Sequence, residues 1–257
     1  MKPENYTHLG VCKNAVETDE GFSTFKTKGG FLIILEHTSY EFALEFIKLM
    51  IRDFPNEIGQ INWDLISKND MYGGANKIKF NELNGITDLE LSPSTINYTY
   101  KSLSILKTIK SMGLDELSIL EIGGGYGGQC KILKDVAPIF NIKINNYGII
   151  DLGEASKLQK KYLSKLGYSE NMDFYEFEGL GDIDISEFNN YDFLISVYSL
   201  GEFDISIQNQ YVDNVIKNIK DYYVVWNTRD IHKHFSQGVT TVETPKTGPH
   251  NRLIISR

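Results

Sequence analysis

The sequence predicts an α/β fold in which a mostly parallel, seven-stranded sheet is covered by helices on both faces. Three observations support this prediction. From Ser118 to the C-terminus, apolar runs of strand length alternate with helix-length segments, which is typical of parallel sheets. Five glycines in the six positions 123–128 separate the first apolar run from a helix. Two final apolar runs, 239–242 and 253–256, predict a closing hairpin at one edge of the sheet.

Residues 1–90 differ in pattern from the rest of the chain and predict a mainly helical N-terminal extension. Ser39 is the expected N-cap of a helix with one apolar face, and Pro55 ends that helix. The apolar run 31–35 is compatible with a buried strand or with the start of a helix. We expect this extension to cover the site of a domain that spans 91–257.

The predicted domain alternates helices with strands. Its first helix spans 93–112, with apolar residues near helical spacing and Gly113 at its end. The later helices are expected at 129–136, 154–166 and 207–219. The strands are expected at 117–122, 146–151, 173–177, 191–197, 222–227, 239–242 and 253–256. Ligands of open α/β sheets bind beyond the carboxyl ends of such strands, so the site is predicted there.

The stretch 117–128 is the centre of the predicted site. It runs from an apolar strand through the glycine-rich turn into a helix. Glycines let the backbone approach a ligand closely, and the start of the next helix offers free N–H groups. Gly123, Gly125 and Gly128 satisfy the G-x-G-x-x-G spacing of dinucleotide-binding turns. The stretch therefore predicts a cradle for a nucleotide-type cofactor, with a structural turn that binds no ligand as an alternative.

Glu121 separates the candidate cofactors, because it ends the first strand two positions before Gly123. A carboxylate there repels a pyrophosphate and attracts a cationic amino group. A resemblance to motif I of class I S-adenosylmethionine-dependent methyltransferases is carried by the run 120–127 (LEIGGGYG). The cofactor of that class carries an ammonium, a sulfonium and no phosphate. We therefore favour S-adenosylmethionine, and an NAD(P)-dependent nucleotide-sugar enzyme is the alternative.

Further cofactor contacts are expected after strands two to four. Asp151 ends the second strand, where a carboxylate accepts hydrogen bonds from ribose hydroxyls. Asp182, in the loop after the third strand, is a candidate for the adenine edge, and Glu178 is an alternative. Ser196 and Tyr198, at the end of the fourth strand, are expected to face the methionine end of the cofactor or the acceptor.

Methyl transfer to oxygen needs a positioned acceptor and a base that removes its proton. Glu202, after the fourth strand, is the first candidate base, with Asp204 behind it. His232, after the fifth strand, and His250, before the last strand, are further candidates because histidine titrates near neutral pH. His232 and His234 have a spacing that could chelate a metal, but the sequence identifies no third ligand, so no metal site is predicted.

The composition indicates a soluble globular protein. A net charge of −8 argues against a nucleic-acid surface, which needs clustered basic residues. The longest apolar run is too short to cross a bilayer, so no membrane insertion is expected. The first six residues lack an apolar signal core, and the two cysteines fit reduced thiols, so we expect a cytoplasmic location.

From about residue 70 onward, the chain resembles the bacterial family of sugar O-methyltransferases of surface-polysaccharide gene clusters. The segments that carry this resemblance are 92–95 (SPST), 120–128 (LEIGGGYGG), 147–152 (YGIIDL), 199–202 (SLGE) and 247–251 (TGPHN). The family commonly has an arginine soon after the Ser-Thr pair, where this chain has Asn97 and Tyr98. An anion contact made by that arginine is therefore not expected here.

The resemblance implies a Rossmann-like class I methyltransferase fold with S-adenosylmethionine as cofactor. The cofactor-binding residues that we assign are Glu121, Gly123, Gly124, Gly125, Tyr126, Gly127, Asp151, Leu152, Asp182, Ser196, Ser94 and Thr95. The resemblance also implies O-methylation of a sugar that is nucleotide-activated or part of a capsule or lipopolysaccharide glycan. A catalytically silent methyltransferase-like subunit is the non-enzymatic alternative. The N-terminal helical region is a candidate homodimer surface.

Overall fold

The computed structural model describes residues 8–177, 185–235 and 238–256. The α-helices of these residues are α1 (His8–Glu17), α2 (Asp19–Thr24), α3 (Gly29–Ile34), α4 (Tyr40–Asp53), α5 (Trp63–Ser67), α6 (Pro93–Ser111), α7 (Gly128–Val136), α8 (Gly153–Lys165), α9 (Ser199–Glu202) and α10 (Ile205–Asn214). The run 31–35, for which the sequence left two possibilities open, lies mostly in α3. No helix among the described residues has the length and apolar character needed to span a bilayer.

The main sheet of the described chain has seven strands. They are β1 (Glu116–Ile122), β2 (Lys143–Asp151), β3 (Met172–Glu176), β4 (Phe193–Val197), β5 (Asp221–Trp226), β6 (Val239–Val242) and β7 (Arg252–Ile255). Their order is β3-β2-β1-β4-β5-β7-β6. The first five are parallel, and β7 is antiparallel to both β5 and β6. The predicted mostly parallel sheet with a closing hairpin is confirmed.

Helices cover both faces of the sheet. Successive side chains of β1 point to opposite faces, so this strand contributes to a core on each side. Leu117 and Ile119 pack into a core that includes residues of α6, α7 and α8. Leu120 and Ile122 pack into a second core with residues of α9 and α10. The strand order reverses between β1 and β4, so a crevice for a ligand is expected beyond their carboxyl ends.

The helical N-terminal part packs on the sheet domain and shares its core. Helix α1 packs on α8, and α4 packs on α6. Between them lies a buried polar cluster in which Lys26 Nζ donates to the carbonyl oxygen of Asn69 at 2.6 Å. The same ammonium is 3.6 Å from Asp70 Oδ1. The predicted helical N-terminal part is confirmed, whereas a domain boundary near residue 90 stays a prediction.

Candidate active site

A cavity of about 400 Å³ lies beyond the carboxyl ends of the parallel strands. Its wall includes residues that follow β1, β2, β4 and β5, namely Gly123, Gly124, Gly125, Leu152, Ser199 and Asn227. Residues of the N-terminal part, including His8, Leu35 and Thr38, close another side. This volume is near the lower end of the ~300–1,000 Å³ that is usual for small-molecule sites. The site is therefore built at the predicted edge of the sheet and completed by the N-terminal helices.

The glycine turn between β1 and α7 presents bare backbone to the cavity. Gly123 has φ +76° and Gly125 has φ +60°, backbone conformations that residues with a side chain rarely adopt. The Gly123 N–H donates to the carbonyl oxygen of Ile150 at 2.9 Å, which ties the turn to β2. A Cβ on Gly123 would lie 2.3 Å from Ser199 Cβ. The turn therefore needs glycine both for its conformation and for its close contact with the segment after β4.

Replacing Gly123 with alanine is expected to destabilise the fold more than the same change at Gly113. Both glycines have φ +76°, so both variants bear the strain of a left-handed alanine. A Cβ on Gly113 meets open space, whereas one on Gly123 collides with Ser199. Overpacking of this kind costs about 1–3 kcal/mol. Urea unfolding of Gly123→Ala and Gly113→Ala measures the difference, and equal losses would show that the contact with Ser199 is not tight.

Glu121 places a buried carboxyl group on the cavity wall. Its side chain lies on the same face of β1 as Ile119, and only 2% of the residue is exposed. Tyr147 donates its hydroxyl proton to Glu121 Oε2 at 2.9 Å. Burial raises the pKa of Glu121 to about 7, against the lowering effect of Tyr147 and with a further raising effect from Asp151. No cationic side chain of the described chain offsets this burial, so a cationic ligand is the partner that would favour the ionised form.

Asp151 is oriented at the end of β2 and also lines the cavity. Its Oδ1 accepts the Leu152 backbone N–H at 2.8 Å. Its Oδ2 accepts from Gln159 Nε2 at 2.7 Å, and the same nitrogen is 3.0 Å from the carbonyl oxygen of Gly125. Gln159 thus couples the carboxylate to the glycine turn. Leu152 lies on the wall beside it, so these two predicted residues and Gly123–Gly125 surround one cavity with Glu121.

Four other assigned cofactor residues support the site from behind its wall. Tyr126 is fully buried and points into the N-terminal core, where its hydroxyl accepts from Asn69 Nδ2 at 3.1 Å. Thr95 is also buried, and its hydroxyl donates to Asp70 Oδ1 at 2.9 Å. Ser94 is buried at the start of α6, and Gly127 caps α7. None of these four is part of the cavity wall.

Two further assignments concern the segments after β3 and β4. Ser196 is fully buried, and its hydroxyl is 3.0 Å from that of Ser199, which itself lines the cavity. Ser196 therefore orients a wall residue and is not itself on the wall. Asp182 and its alternative Glu178 lie outside the described residues. The adenine contact assigned to Asp182 stays a prediction.

The structure separates Glu202, as a candidate base, from the two candidate histidines. Glu202 lines the cavity, and its Oε1 accepts from Asn227 Nδ2 at 2.9 Å. Arg229 holds this segment by donating to the carbonyl oxygen of Glu202 at 3.1 Å. His232 and His250 are both exposed and are not part of the cavity wall. Among the described residues, no group of three or more potential ligands is arranged to hold a metal ion.

Several wall residues were not assigned from the sequence. They are His8, Leu35, His37, Thr38, Lys101, Gln129, Thr247 and Asn251. Asn97 and Lys101 are four positions apart on α6 and therefore share one face of that helix, and Tyr98 lies beside Asn97. Two polar side chains at this spacing are a signal that the sequence did contain. The residues of the first forty positions carry no such signal, because their place at the cavity depends on how α1 and α3 pack.

Comparison with known proteins finds similarity among solved structures. No protein-family profile and no curated protein sequence matches the chain. Among solved structures, the methyltransferase domain of bacterial CtHen1-C is 11% identical, with a TM-score of 0.45 over 62% of this chain and 97% of that chain. The pyocyanin biosynthetic protein PhzM is 13% identical, with a TM-score of 0.44 over 63% of this chain and 56% of that chain. The mitomycin 7-O-methyltransferase MmcR is 14% identical, with a TM-score of 0.43 over 83% of this chain and 66% of that chain.

The described chain has a Rossmann-like α/β fold. Its mostly parallel seven-stranded sheet carries helices on both faces and is preceded by a helical N-terminal part. This agrees with the fold that the sequence predicts.

Proposed function

We propose that this protein transfers a methyl group from S-adenosylmethionine to a hydroxyl of a sugar, either nucleotide-activated or part of a capsule or lipopolysaccharide glycan. One observation carries the cofactor assignment: the buried carboxyl group of Glu121 lies on the cavity wall beside the bare glycine turn. A pyrophosphate at this position would face a like charge, whereas an ammonium would stabilise the ionised carboxylate.

The residues on the wall fit S-adenosylmethionine. Glu121 would accept hydrogen bonds from its ammonium, and Asp151 would accept them from its ribose hydroxyls. The glycines of 123–125 put bare backbone on the cavity wall, and a Cβ at Gly123 would collide with Ser199. When bound, the cofactor supplies an electrophilic methyl group on a sulfonium.

Glu202 is the residue that we assign to proton removal from the acceptor. Its Oε1 is engaged by Asn227, which orients the carboxylate toward the cavity that it lines. A base in this position contributes ~10²–10⁴-fold to the rate. The sugar assignment comes from the family resemblance, and the polar side chains of the cavity wall, which include those of Asn227 and Asn251, support it.

Incubation with S-adenosylmethionine and a panel of sugars, followed by mass spectrometry, tests this function. We expect one sugar or glycan to gain the mass of one methylene, with stoichiometric release of S-adenosylhomocysteine. A methylated acceptor of another chemical class would overturn the sugar assignment and leave methyl transfer intact. Failure to bind S-adenosylhomocysteine would overturn both.

A further inference from the structure

One part of the cavity wall is organised by a buried carboxylate, Glu243. Lys101 Nζ lies 2.5 Å from Glu243 Oε1, and their side chains are 2% and 1% exposed. Glu243 also accepts the hydroxyl proton of Tyr198, that of Thr247 at 2.7 Å, and an amide proton of Asn251 at 2.8 Å. We refer to these five residues as the Glu243 cluster. All of them except Glu243 line the cavity.

The Glu243 cluster is internally neutralised. Burial alone would raise the pKa of Glu243, but the Lys101 ammonium and the surrounding donors hold it below its usual value. The lysine and the carboxylate therefore both stay charged and compensate each other. A buried pair of this kind is weak evidence for stability, because desolvation offsets the attraction. Glu243 lies behind the cavity wall and Lys101 lies on it. This placement points instead to a role in fixing the residues that touch a ligand.

The Glu243 cluster engages the hydrogen-bond donors of three wall side chains. Tyr198 and Thr247 direct their hydroxyl protons at Glu243, and Asn251 directs its amide protons at Glu243 and at Thr247 Oγ1. Elsewhere on the wall, Asn227 donates one amide proton to Glu202. Tyr198, Thr247 and Asn251 therefore have mainly lone pairs left for a ligand. A ligand that complements them must supply donors of its own.

The charges of the cavity wall also favour an uncharged hydrogen-bond donor over a phosphate. Three carboxyl groups line the cavity, those of Glu121, Asp151 and Glu202. Among the described residues of the wall, Lys101 is the one lysine or arginine, and its charge is matched by Glu243. A phosphate brings only acceptors and negative charge, so it would meet unmatched lone pairs and like charges. A sugar ring brings hydroxyl donors without charge.

We propose that the part of the cavity beside the Glu243 cluster receives the acceptor, admits an uncharged, hydroxyl-rich sugar ring and excludes phosphate-bearing sugars. This rests on the proposed function and narrows it: the methyl group goes to a free glycoside or to the end of an assembled glycan, not to a nucleotide-activated sugar.

Two measurements test this selectivity. In the first, a methyl glycoside and the 1-phosphate of the same sugar are compared, and we expect kcat/KM to be at least about tenfold higher for the glycoside. A preference for the phosphate would overturn the proposal. Oligosaccharides that end in the same sugar are measured as well. Comparing their kcat/KM with that of the methyl glycoside distinguishes an assembled glycan from a free glycoside as the acceptor.

The second measurement does not depend on knowing the sugar. Uridine diphosphate is titrated by calorimetry into the protein saturated with S-adenosylhomocysteine, at constant ionic strength. We expect no binding to the wild type and a gain of binding in Glu243→Gln, which leaves the Lys101 charge unmatched. Binding to the wild type that Lys101→Met abolishes would overturn the proposal. If no sugar is methylated, the proposed function fails, and this titration still decides the charge selectivity.

Thr247→Val is the second variant if Glu243→Gln does not fold. It is nearly isosteric and removes one hydroxyl of the wall without leaving a buried charge unpaired. We expect a several-fold higher KM for the glycoside with unchanged affinity for S-adenosylhomocysteine. An unchanged KM would show that the Glu243 cluster does not contact the acceptor.

Discussion

Glu121→Gln is expected to bind S-adenosylhomocysteine about 10- to 100-fold more weakly than the wild type near pH 8, because a charged hydrogen bond contributes roughly 1.5–3 kcal/mol. The carboxylate lies on the cavity wall, and Tyr147 already engages one of its oxygens. Glutamine keeps the shape of the side chain but cannot match an ammonium charge. Isothermal titration calorimetry measures the loss.

The pH dependence of this affinity gives the same prediction a second readout. The ligand-free protein holds Glu121 protonated below a pKa of about 7, and binding of an ammonium requires the ionised form. We therefore expect the affinity of the wild type to rise as the pH increases through about 7 and then to level off. Glu121→Gln should lose this slope, and adenosine, which has no ammonium, should show none in either protein.

The free energy of unfolding of the ligand-free protein should fall with rising pH, whereas the affinity for S-adenosylhomocysteine rises. Burial raises the pKa of Glu121 to about 7 in the folded state, from an ordinary value of 4.5. Between these values the folded state binds more protons than the unfolded state, so the free energy of unfolding falls as the pH rises through this window. Glu121→Gln removes that contribution. The variant should therefore be more stable than the wild type, although it binds the cofactor more weakly.

Glu116→Gln is the matched control for both readouts. It makes the same substitution at the other end of β1, where Glu116 is exposed and pairs with Lys143 on the surface. We expect its affinity and its pH profile to equal those of the wild type, since exposed ion pairs contribute little. Equal behaviour of the two variants would refute a role for Glu121 in holding a cation.

Glu202→Gln is expected to lower kcat by ~10²–10⁴-fold, because it removes the group that we propose as the base for the acceptor hydroxyl. The affinity for S-adenosylhomocysteine should remain unchanged, since the cofactor half of the wall is built by other residues. Glutamine preserves the contact with Asn227, so a structural loss is not expected. Single-turnover rates measured with the methylated sugar identified by mass spectrometry give the effect on chemistry alone.

His232→Gln and His250→Gln complete this comparison. Both histidines were candidate bases in the sequence, and both are exposed and are not part of the cavity wall in the structure. We expect each variant to lower kcat less than Glu202→Gln does. A loss of ~10² or more in either histidine variant, with Glu202→Gln near the wild type, would assign proton removal to that histidine instead.

The parts of the site that could be predicted from sequence are those fixed by local patterns. An apolar run followed by glycines locates the end of β1, so the sequence alone places Glu121 and Gly123 at the cavity. Asp151 could be placed in the same way, because it ends a strand of the same parallel sheet. The carboxyl end of a strand is a position that the apolar pattern of the sequence alone can locate.

Side-chain direction and long-range pairing could not be predicted in this way. Tyr126 lies inside the glycine motif, yet its ring packs against Phe25 and Phe31 of the N-terminal part. Lys101 and Glu243 are 142 positions apart, and neither neighbourhood indicates the other. Such contacts arise when elements that are distant in sequence pack together. For this reason local sequence patterns do not define the part of the cavity wall around Lys101, Tyr198 and Asn251.

The most direct test of the central claim is a comparison of S-adenosylhomocysteine and NAD as ligands of the wild-type protein. The claim is that Glu121 and the glycine turn receive an ammonium-bearing cofactor and repel a pyrophosphate. Thermal unfolding at increasing ligand concentration should show stabilisation by S-adenosylhomocysteine that follows RT ln(1 + [L]/Kd), and no stabilisation by NAD. Stabilisation by NAD without stabilisation by S-adenosylhomocysteine would contradict the account.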